Sequence, residues 1–373
     1  MRKRLRKRLY QACFGPMIVE LGNPSGRGRN VNARMSDVAR AAGVSMSTVS
    51  HVINGTRVVE PATVLRVNEA ILQTGYRHNR LARALARGVG TQSVGVALSS
   101  QSNPYLADLV MPIEAALTQH GSLMLLGETH EDAAKEYRLV NALLDRRVDG
   151  IILAPSPGAA EQTLPMLAKS GLPVVLLDRV MDAAHFDQVA SDNTEPMASI
   201  VDHLAWHGHS RIALIAGMAG LSTSTERQRG FLRGLQRNGL ELQPGMVVDG
   251  GSSAAEAGRA MGQLWAAHPR PTAVIPANNY MTVGVLKWLR RSRISIPRDV
   301  ALAGFDDFEW SDLIDPPLTA VAQNWNTIGQ RAIEMLTDRM SQPERPFRTE
   351  RIVASLMVRQ SCGCLNEQLA PVA

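Results

Sequence analysis

SDVARAAGVSMSTVSHVINGTRVVEPATVLRVNEAILQTGYRHNRLARALARG, residues Ser36–Gly88, carries three short helical patterns one after another. The first spans about Ser36 to Ala42, with Val38, Ala39 and Ala42 on one face. Gly43 interrupts it where a tight turn calls for a positive φ. Ser45 is placed to cap a second helix whose apolar positions are Val49, Val52 and Ile53. After the loop Asn54-Gly55-Thr56, Pro61 suits a first helical position, and Val64, Val67 and Ile71 continue the periodicity. Two short helices joined by a glycine turn, with a third completing the core, predict a helix-turn-helix unit. Any small three-helix bundle is the competing reading; the small residues at the turn favour the former.

Outward from this segment the chain changes character on both sides. Upstream, Leu21–Asn32 is rich in Gly, Asn, Pro and Ser and reads as a linker. Ahead of that lies MRKRLRKRLYQACFGPMIVELG, a charged start without a convincing apolar signal core. A basic arm adding nonspecific DNA affinity, a membrane-surface segment and an over-extended translation start (Met17 being an alternative) all remain open. Downstream, from Ser93, apolar runs read as strands at Val94–Leu98, Leu123–Leu126, Gly150–Leu153, Val174–Leu177, Ile212–Ala216, Ala273–Ile275 and Val300–Ala303. Helical patterns separate most of them, so βαβ units and parallel sheets are expected. The pattern runs twice, over about 92–190 and 192–320. Two α/β lobes facing each other would leave a cleft beyond the carboxyl ends of their strands, the default place for a ligand.

Charge and composition narrow the function classes. Residues 1–92 hold 16 Lys/Arg against 4 Asp/Glu, while the remainder holds 24 against 30. A basic front on a mildly acidic body fits a polyanion-binding module, or a tail that serves solubility alone. No apolar run reaches the ~18 residues of a membrane span, so no membrane partner is expected. Three cysteines, Cys13, Cys362 and Cys364, make no disulfide framework, and no second ligand pair stands near them in sequence, so neither zinc nor any cofactor is expected. Reduced thiols in the cytoplasm fit best.

With the segments laid out, Ser36–Gly88 closely resembles the DNA-binding headpiece of the lactose-repressor (LacI/GalR) family. Further matches keep family spacing: NPYLADLV from Asn103, DGIIL from Asp149, LPVVLLDR to Arg179, Asp192-Asn193, HGHSRIALIAG from His207, RQRGF from Arg227, AGFDD from Ala303, PPLTAV from Pro316 and VRQS from Val358. The resemblance covers about Met35–Ser361. It implies an all-α helix-turn-helix headpiece (34–78), a hinge helix and linker (79–91) and a two-lobed core like that of periplasmic binding proteins (92–361). Lobe one would take about 92–191 and 324–350, and lobe two about 192–322 and 351–361. Residues 1–33 and 362–373 would be tails. It also implies a homodimeric transcription repressor on a near-palindromic double-stranded operator, controlled by a small-molecule effector.

Carried over by position, the resemblance sets Met46, Ser47 and His51 against base edges, and Thr48, Ser50 and Asn54 against phosphates, with Ser45 and Asn79 in the same DNA-facing set. Met offers only apolar contact, as with a thymine methyl, and His can donate to a guanine acceptor. In the hinge, Leu85 matches an apolar wedge between base steps, and Arg80, Arg83 and Arg87 would lie near phosphates. His78 departs from the usual proline there, and Glu60 from the usual Ser or Thr cap. The implied effector residues are Tyr105, Asp178, Thr223, Arg227, Asn278, Asp306, Gln323 and Trp325, with Arg179 beside Asp178. This mixture points to a sugar, polyol or sugar acid, with nucleobase and amine ligands still open. Asn279 and Ser191 depart from the residues common in the family.

An enzyme is the main rival, yet the chain has no GxSxG, HExxH, P-loop or GxGxxG at a strand–helix junction. The HxxxHxH pattern of His203, His207 and His209 reads as helix-end structure rather than metal ligation. A periplasmic binding protein would share the core but needs a secretion signal and no headpiece.

Overall fold

The computed structural model describes residues 33–76, 90–99, 105–181 and 185–364, with the side chains of residues 105–107 outside that description. These residues fall into two compact units, one N-terminal and one C-terminal.

The first unit is three helices: α1 (Met35–Ala42), α2 (Met46–Asn54) and α3 (Pro61–Thr74). Gly43 takes φ +65°, and its N–H reaches back to the Ala39 and Arg40 carbonyls, so α1 closes and the chain turns at once into α2. A Cβ would be strained in that left-handed conformation. Ser45 caps α2, its hydroxyl accepting from Thr48 N at 3.1 Å. Pro61 opens α3, while Glu60 supplies no side-chain cap bond. The buried core is small: Val38, Ala39, Ala42, Val49, Val67 and Ala70, with Met35, Val44, Val52, Ile53, Ile71 and Tyr76 packed around it.

The second unit contains two six-stranded sheets. In chain order its elements are β1 (Ser93–Leu98), α4 (Tyr105–Gln119), β2 (Leu123–Glu128), α5 (Ala133–Asp145), β3 (Gly150–Leu153), α6 (Thr163–Ser170), β4 (Val174–Leu177), β5 (Asp187–Ser191), α7 (Thr194–Trp206), β6 (Ile212–Ala216), α8 (Ser222–Arg237), β7 (Val247–Asp249), α9 (Ala254–Ala266), β8 (Ala273–Pro276), α10 (Asn279–Ser292), β9 (Ala301–Phe305), β10 (Thr319–Ala322), α11 (Trp325–Ser341), β11 (Thr349–Ile352) and β12 (Ser355–Met357). The strand orders are β11-β5-β4-β3-β1-β2 and β12-β10-β9-β8-β6-β7. Strands β1–β5 and β6–β10 thus repeat one topology, all parallel, as the doubled pattern in the sequence predicts. At the sheet edges β11 is parallel to β5, whereas β12 is antiparallel to β10.

Five strands escape the apolar pattern: β5, β7, β10, β11 and β12. β5 explains why. Its sequence DQVAS is half polar although every residue in it is buried. Asp187 is tolerated there because Arg339 Nε donates to it at 3.0 Å and the Arg348 backbone N–H at 3.1 Å. β11 runs to Ile352, so the last crossing between lobes falls at 353–354, slightly beyond the expected 350/351.

The first lobe's core lies on both faces of its sheet, with Ile113, Val96, Ile152 and Leu336 on one side and Val140, Ile151, Leu167 and Leu176 on the other. In the second lobe α7 and α8 pack very closely. A Cβ on Gly230 would sit 2.2 Å from the Thr194 carbonyl, and one on Gly234 2.6 Å from Val201 Cβ. RQRGF thus has a packing reason for its glycine.

Candidate DNA-reading and effector sites

On α2 the helical period divides the residues cleanly. Val49 is fully buried, while Met46, Ser47, Ser50, His51 and Asn54 fall on the outward stripe. Met46 is 56% exposed, which rules out a core role for it. The side chains are tied to one another. Ser45 Oγ lies 2.7 Å from Ser47 Oγ and 2.8 Å from Thr48 Oγ1, and Asn54 donates to Ser50 Oγ at 3.0 Å. His51 Nδ1 meets Thr56 Oγ1 at 2.9 Å. With the Thr56 hydroxyl donating, Nε2 carries the ring proton and points a donor outward. Thr56 thus holds the His51 ring, a contact that the sequence alone did not single out. Asn79, Arg80, Arg83, Leu85 and Arg87 lie outside the described residues.

The basic front resolves into parts. Within 33–76, Arg34, Arg40, Arg57 and Arg66 face Asp37, Glu60 and Glu69, so this helical unit is nearly neutral. The excess resides in the flanking stretches 1–32 and 77–92.

In the second unit a cavity between the lobes is lined by Asp178, Thr223, Arg227, Asn278, Asp306, Gln323 and Trp325. Seven of the eight residues named for an effector therefore converge. Tyr105 begins α4, and its side chain is outside the description. Most lining residues follow the carboxyl end of a strand: Ser99 after β1, Glu131 after β2, Ala154 after β3, Asp178 after β4, Ser252 after β7, Asn278 after β8 and Asp306 after β9. Asp178 and Asp306 occupy equivalent places in the two lobes, and both adopt left-handed backbone, φ +65° and +72°. Aspartate tolerates this better than most residues, and such strain is characteristic of ligand clamps.

Each lobe balances its own arginine. Arg227, on α8, donates from Nε to Asn193 at 2.9 Å and from Nη1 to the Ala277 carbonyl at 2.7 Å. Its two terminal nitrogens face both Asp306 oxygens at 3.4 Å, and its guanidinium lies 3.9 Å over the Phe305 ring. Gln323 also donates to Asp306. In lobe one, Arg179 donates from Nη1 to Glu131 at 2.7 Å and to the Pro155 carbonyl at 2.7 Å. Its Nε lies 3.8 Å from Asp178. Desolvation pushes the Asp178 carboxyl above its ordinary range, against the pull of Arg179 and Arg227. Asn278 caps α10 with its amide oxygen, which accepts from Met281 N at 2.7 Å, so it meets the cavity with its N–H groups. Glu131, Ser224, Ser252 and Tyr280 also line the space. Strand-end position was the one signal that could have found Glu131 and Ser252.

One cluster was not visible in the sequence spacing. His203 and His207 read as helix-end structure, and Cys362 and Cys364 as thiols with no ligand pair nearby. The fold brings all four together, with His203 Nε2 3.2 Å from each sulfur and His207 Nε2 2.9 Å from Cys364 Sγ. The pairs are about 160 residues apart in sequence, so motif spacing could not register them.

Known proteins resemble this chain along most of its length. Residues 34–79 match the family described as bacterial regulatory proteins, lacI family, and residues 201–362 match a periplasmic binding protein-like domain. The HTH-type transcriptional repressor PurR of Aliivibrio fischeri (strain ATCC 700601 / ES114) is 32% identical over 332 residues, 88% of this chain and 98% of that protein. The ribose operon repressor of Escherichia coli (strain K12) is 32% identical over 329 residues, 88% and 99%. Among solved structures, a lac repressor dimer bound to operator and an anti-inducer aligns with TM-score 0.77 at 28% identity, covering 88% of this chain and 99% of that one. A CelR–cellobiose complex aligns with TM-score 0.67 at 29% identity, covering 88% and 100%.

Proposed function

Because the chain belongs to the lacI family of bacterial regulatory proteins, we propose that it is a cytoplasmic, non-enzymatic repressor whose operator affinity is set by a neutral, hydroxyl-rich metabolite held between its lobes. The observation that carries the ligand class is the charge of the cavity. Two guanidiniums meet three carboxylates there, and each guanidinium is already engaged by a carboxylate of its own lobe. A ligand carboxylate would have to displace Asp306 from Arg227 and would stand beside Asp178, which Arg179 meets only at 3.8 Å. Vicinal hydroxyls instead donate to Asp178 and Asp306 and accept from Arg227 and from Asn278 N–H. Trp325 offers an apolar face to a sugar ring. One relative is named a ribose operon repressor and the aligned CelR is in complex with cellobiose, so mono- and disaccharides head the test panel, with nucleobases and sugar acids as the competing classes.

The protein is a homodimer on a near-palindromic site, with Met46, Ser47 and His51 reading bases and Ser45, Thr48, Ser50 and Asn54 on phosphates. Asn79, Arg80, Arg83 and Leu85 serve the hinge. A ligand releases or tightens DNA only through different affinity for the two lobe arrangements.

The test is a thermal-shift screen of the full chain against neutral sugars, sugar acids and nucleobases, followed by gel shifts on genomic fragments with each hit. Neutral sugars should stabilise the chain and change operator affinity, and Asp178→Asn should weaken the hit at least tenfold without lowering the apo melting point. A sugar acid or nucleobase as sole hit, or a hit unaffected by that variant, refutes the ligand assignment. No sequence preference over random duplex refutes the repressor.

A further inference from the structure

The second lobe carries a cluster of soft donors that neither DNA reading nor effector binding uses. His203 lies in the last turn of α7, and His207 follows one turn later at its C-cap. Residues i and i+4 share a helix face, so both imidazoles point the same way. Cys362 and Cys364 lie beyond β12, and Gly363 between them takes φ +90°, which folds the chain so that both sulfurs face one point. The Sγ atoms are 2.6 Å apart, and both cysteines are buried within the apolar core of this lobe. The atoms that could hold an ion on His203, Cys362 and Cys364 all lie within 4.8 Å of one another, and His207 Nε2 touches Cys364 Sγ at 2.9 Å.

We propose that His203, His207, Cys362 and Cys364 bind one zinc ion as a structural clasp of the second lobe. Two thiolates and two imidazoles are a familiar closed tetrahedral donor set for zinc. Bonds of about 2.3 Å to sulfur and about 2.0 Å to nitrogen place such donors roughly 3.4–3.8 Å apart, so the donor atoms of His203, Cys362 and Cys364 need open by only about an ångström, with His207 reaching the cluster through Cys364. A hydroxyl donor reaches Cys362 from β10. Thr319 Oγ1 accepts the Arg359 N–H at 2.8 Å, which leaves its own O–H to donate to Cys362 Sγ at 3.2 Å. The alternative without metal keeps two thiols, Cys362 donating to the Arg359 carbonyl at 3.2 Å and Cys364 to an imidazole.

The location gives the clasp its work. Ser361 already stitches this segment to the sheet, its hydroxyl donating to the Leu302 carbonyl and accepting from Thr319 N. Zinc would add α7 to that seam and fix the chain's last described residues.

The experiment uses the tag-free full chain purified under reducing conditions. Elemental analysis should find one zinc per folded chain, retained through dialysis. Replacement by cobalt(II) should give the intense visible bands of a tetrahedral thiolate site. A strong chelator should lower the melting point of the core by on the order of 5–10 °C and expose two further thiols to a chromogenic disulfide reagent. Cys362→Ser/Cys364→Ser should lose zinc and the cobalt bands, while His120→Asn, an exposed histidine in the first lobe, should keep both. Wild-type chain that is folded by circular dichroism yet takes up neither metal overturns the proposal. So does zinc retained by the double serine variant, or a Cys362–Cys364 disulfide whose reduction does not restore binding.

Discussion

Val49→Ala tests whether the N-terminal unit stands on its own small core. Val49 is fully buried, the only buried residue of α2, and belongs to a cluster of six buried apolar side chains. Removing two carbons costs about 1.6 kcal/mol at about 0.8 kcal/mol each. A cavity that three short helices cannot wholly close brings the loss to about 2–3 kcal/mol. Typical stability of roughly 0.05–0.15 kcal/mol per residue gives a unit of this size only about 2–6 kcal/mol in total. At about 4–8 °C per kcal/mol for small domains, its melting point should fall by roughly 10–20 °C. Scanning calorimetry of the full chain should show the low transition move while the core transition stays. Operator affinity should fail near the new melting point and largely recover in the cold, since DNA binding stabilises the folded headpiece by mass action. An unchanged low transition, or a core transition that drops equally, would refute the two-unit reasoning. Met46→Ala supplies the control. That side chain is 56% exposed, so stability should hold while sequence preference changes.

The remaining predictions address other links. His51→Ala should cost about 1–3 kcal/mol at the base it reads and relax selectivity there, while Thr56→Val should weaken the same preference by loosening the ring; selection from a randomised half-site reads both. Deleting residues 2–32, which contain eight Lys/Arg and one Asp/Glu, should leave the preferred site unchanged and flatten the salt dependence of binding, each lost phosphate contact removing about 0.9 from the log–log slope. Gly230→Ala forces a Cβ to 2.2 Å from the Thr194 carbonyl and should destabilise the second lobe by about 1–3 kcal/mol in denaturant titration.

The headpiece was almost wholly legible because its signals are local. Gly43, Ser45 and Pro61 each mark a helix boundary through the backbone conformation or bond they impose. Strands buried on both faces announce themselves as apolar runs, as IIL within β3 does. What sequence missed depends on partners far along the chain. DQVAS makes a fully buried strand because Arg339 and Arg345 pair with Asp187, and the cluster of His203, His207, Cys362 and Cys364 exists only once α7 and the C-terminal segment pack. Cleft residues were legible through family resemblance, but their division of labour was not. That Asn278 gives its oxygen to Met281 and offers only donors to the cavity is a property of a helix cap, visible only in three dimensions.

Asp178 provides the sharpest link between cleft electrostatics and regulation. Burial raises its carboxyl above the ordinary 3.8, so in the free protein its contribution to stability is complete below 3.8 and is lost as pH rises through the folded-state value. A ligand hydroxyl reverses the preference, because a carboxylate accepts hydrogen bonds from hydroxyls far better than a carboxylic acid does. The two effects oppose each other. The apo melting point should therefore drift down, and the ligand-induced shift grow, as pH climbs through the same interval. Asp178→Asn keeps the shape and tolerates the left-handed backbone but cannot titrate, so both trends should flatten together. Titrating the melting point with and without a bound sugar over mildly acidic to neutral pH tests this directly. A ligand shift that shrinks with rising pH would mean that the bound molecule donates nothing to Asp178. In that event the arginines, not the carboxylates, choose the effector, and an anionic metabolite replaces the neutral sugar.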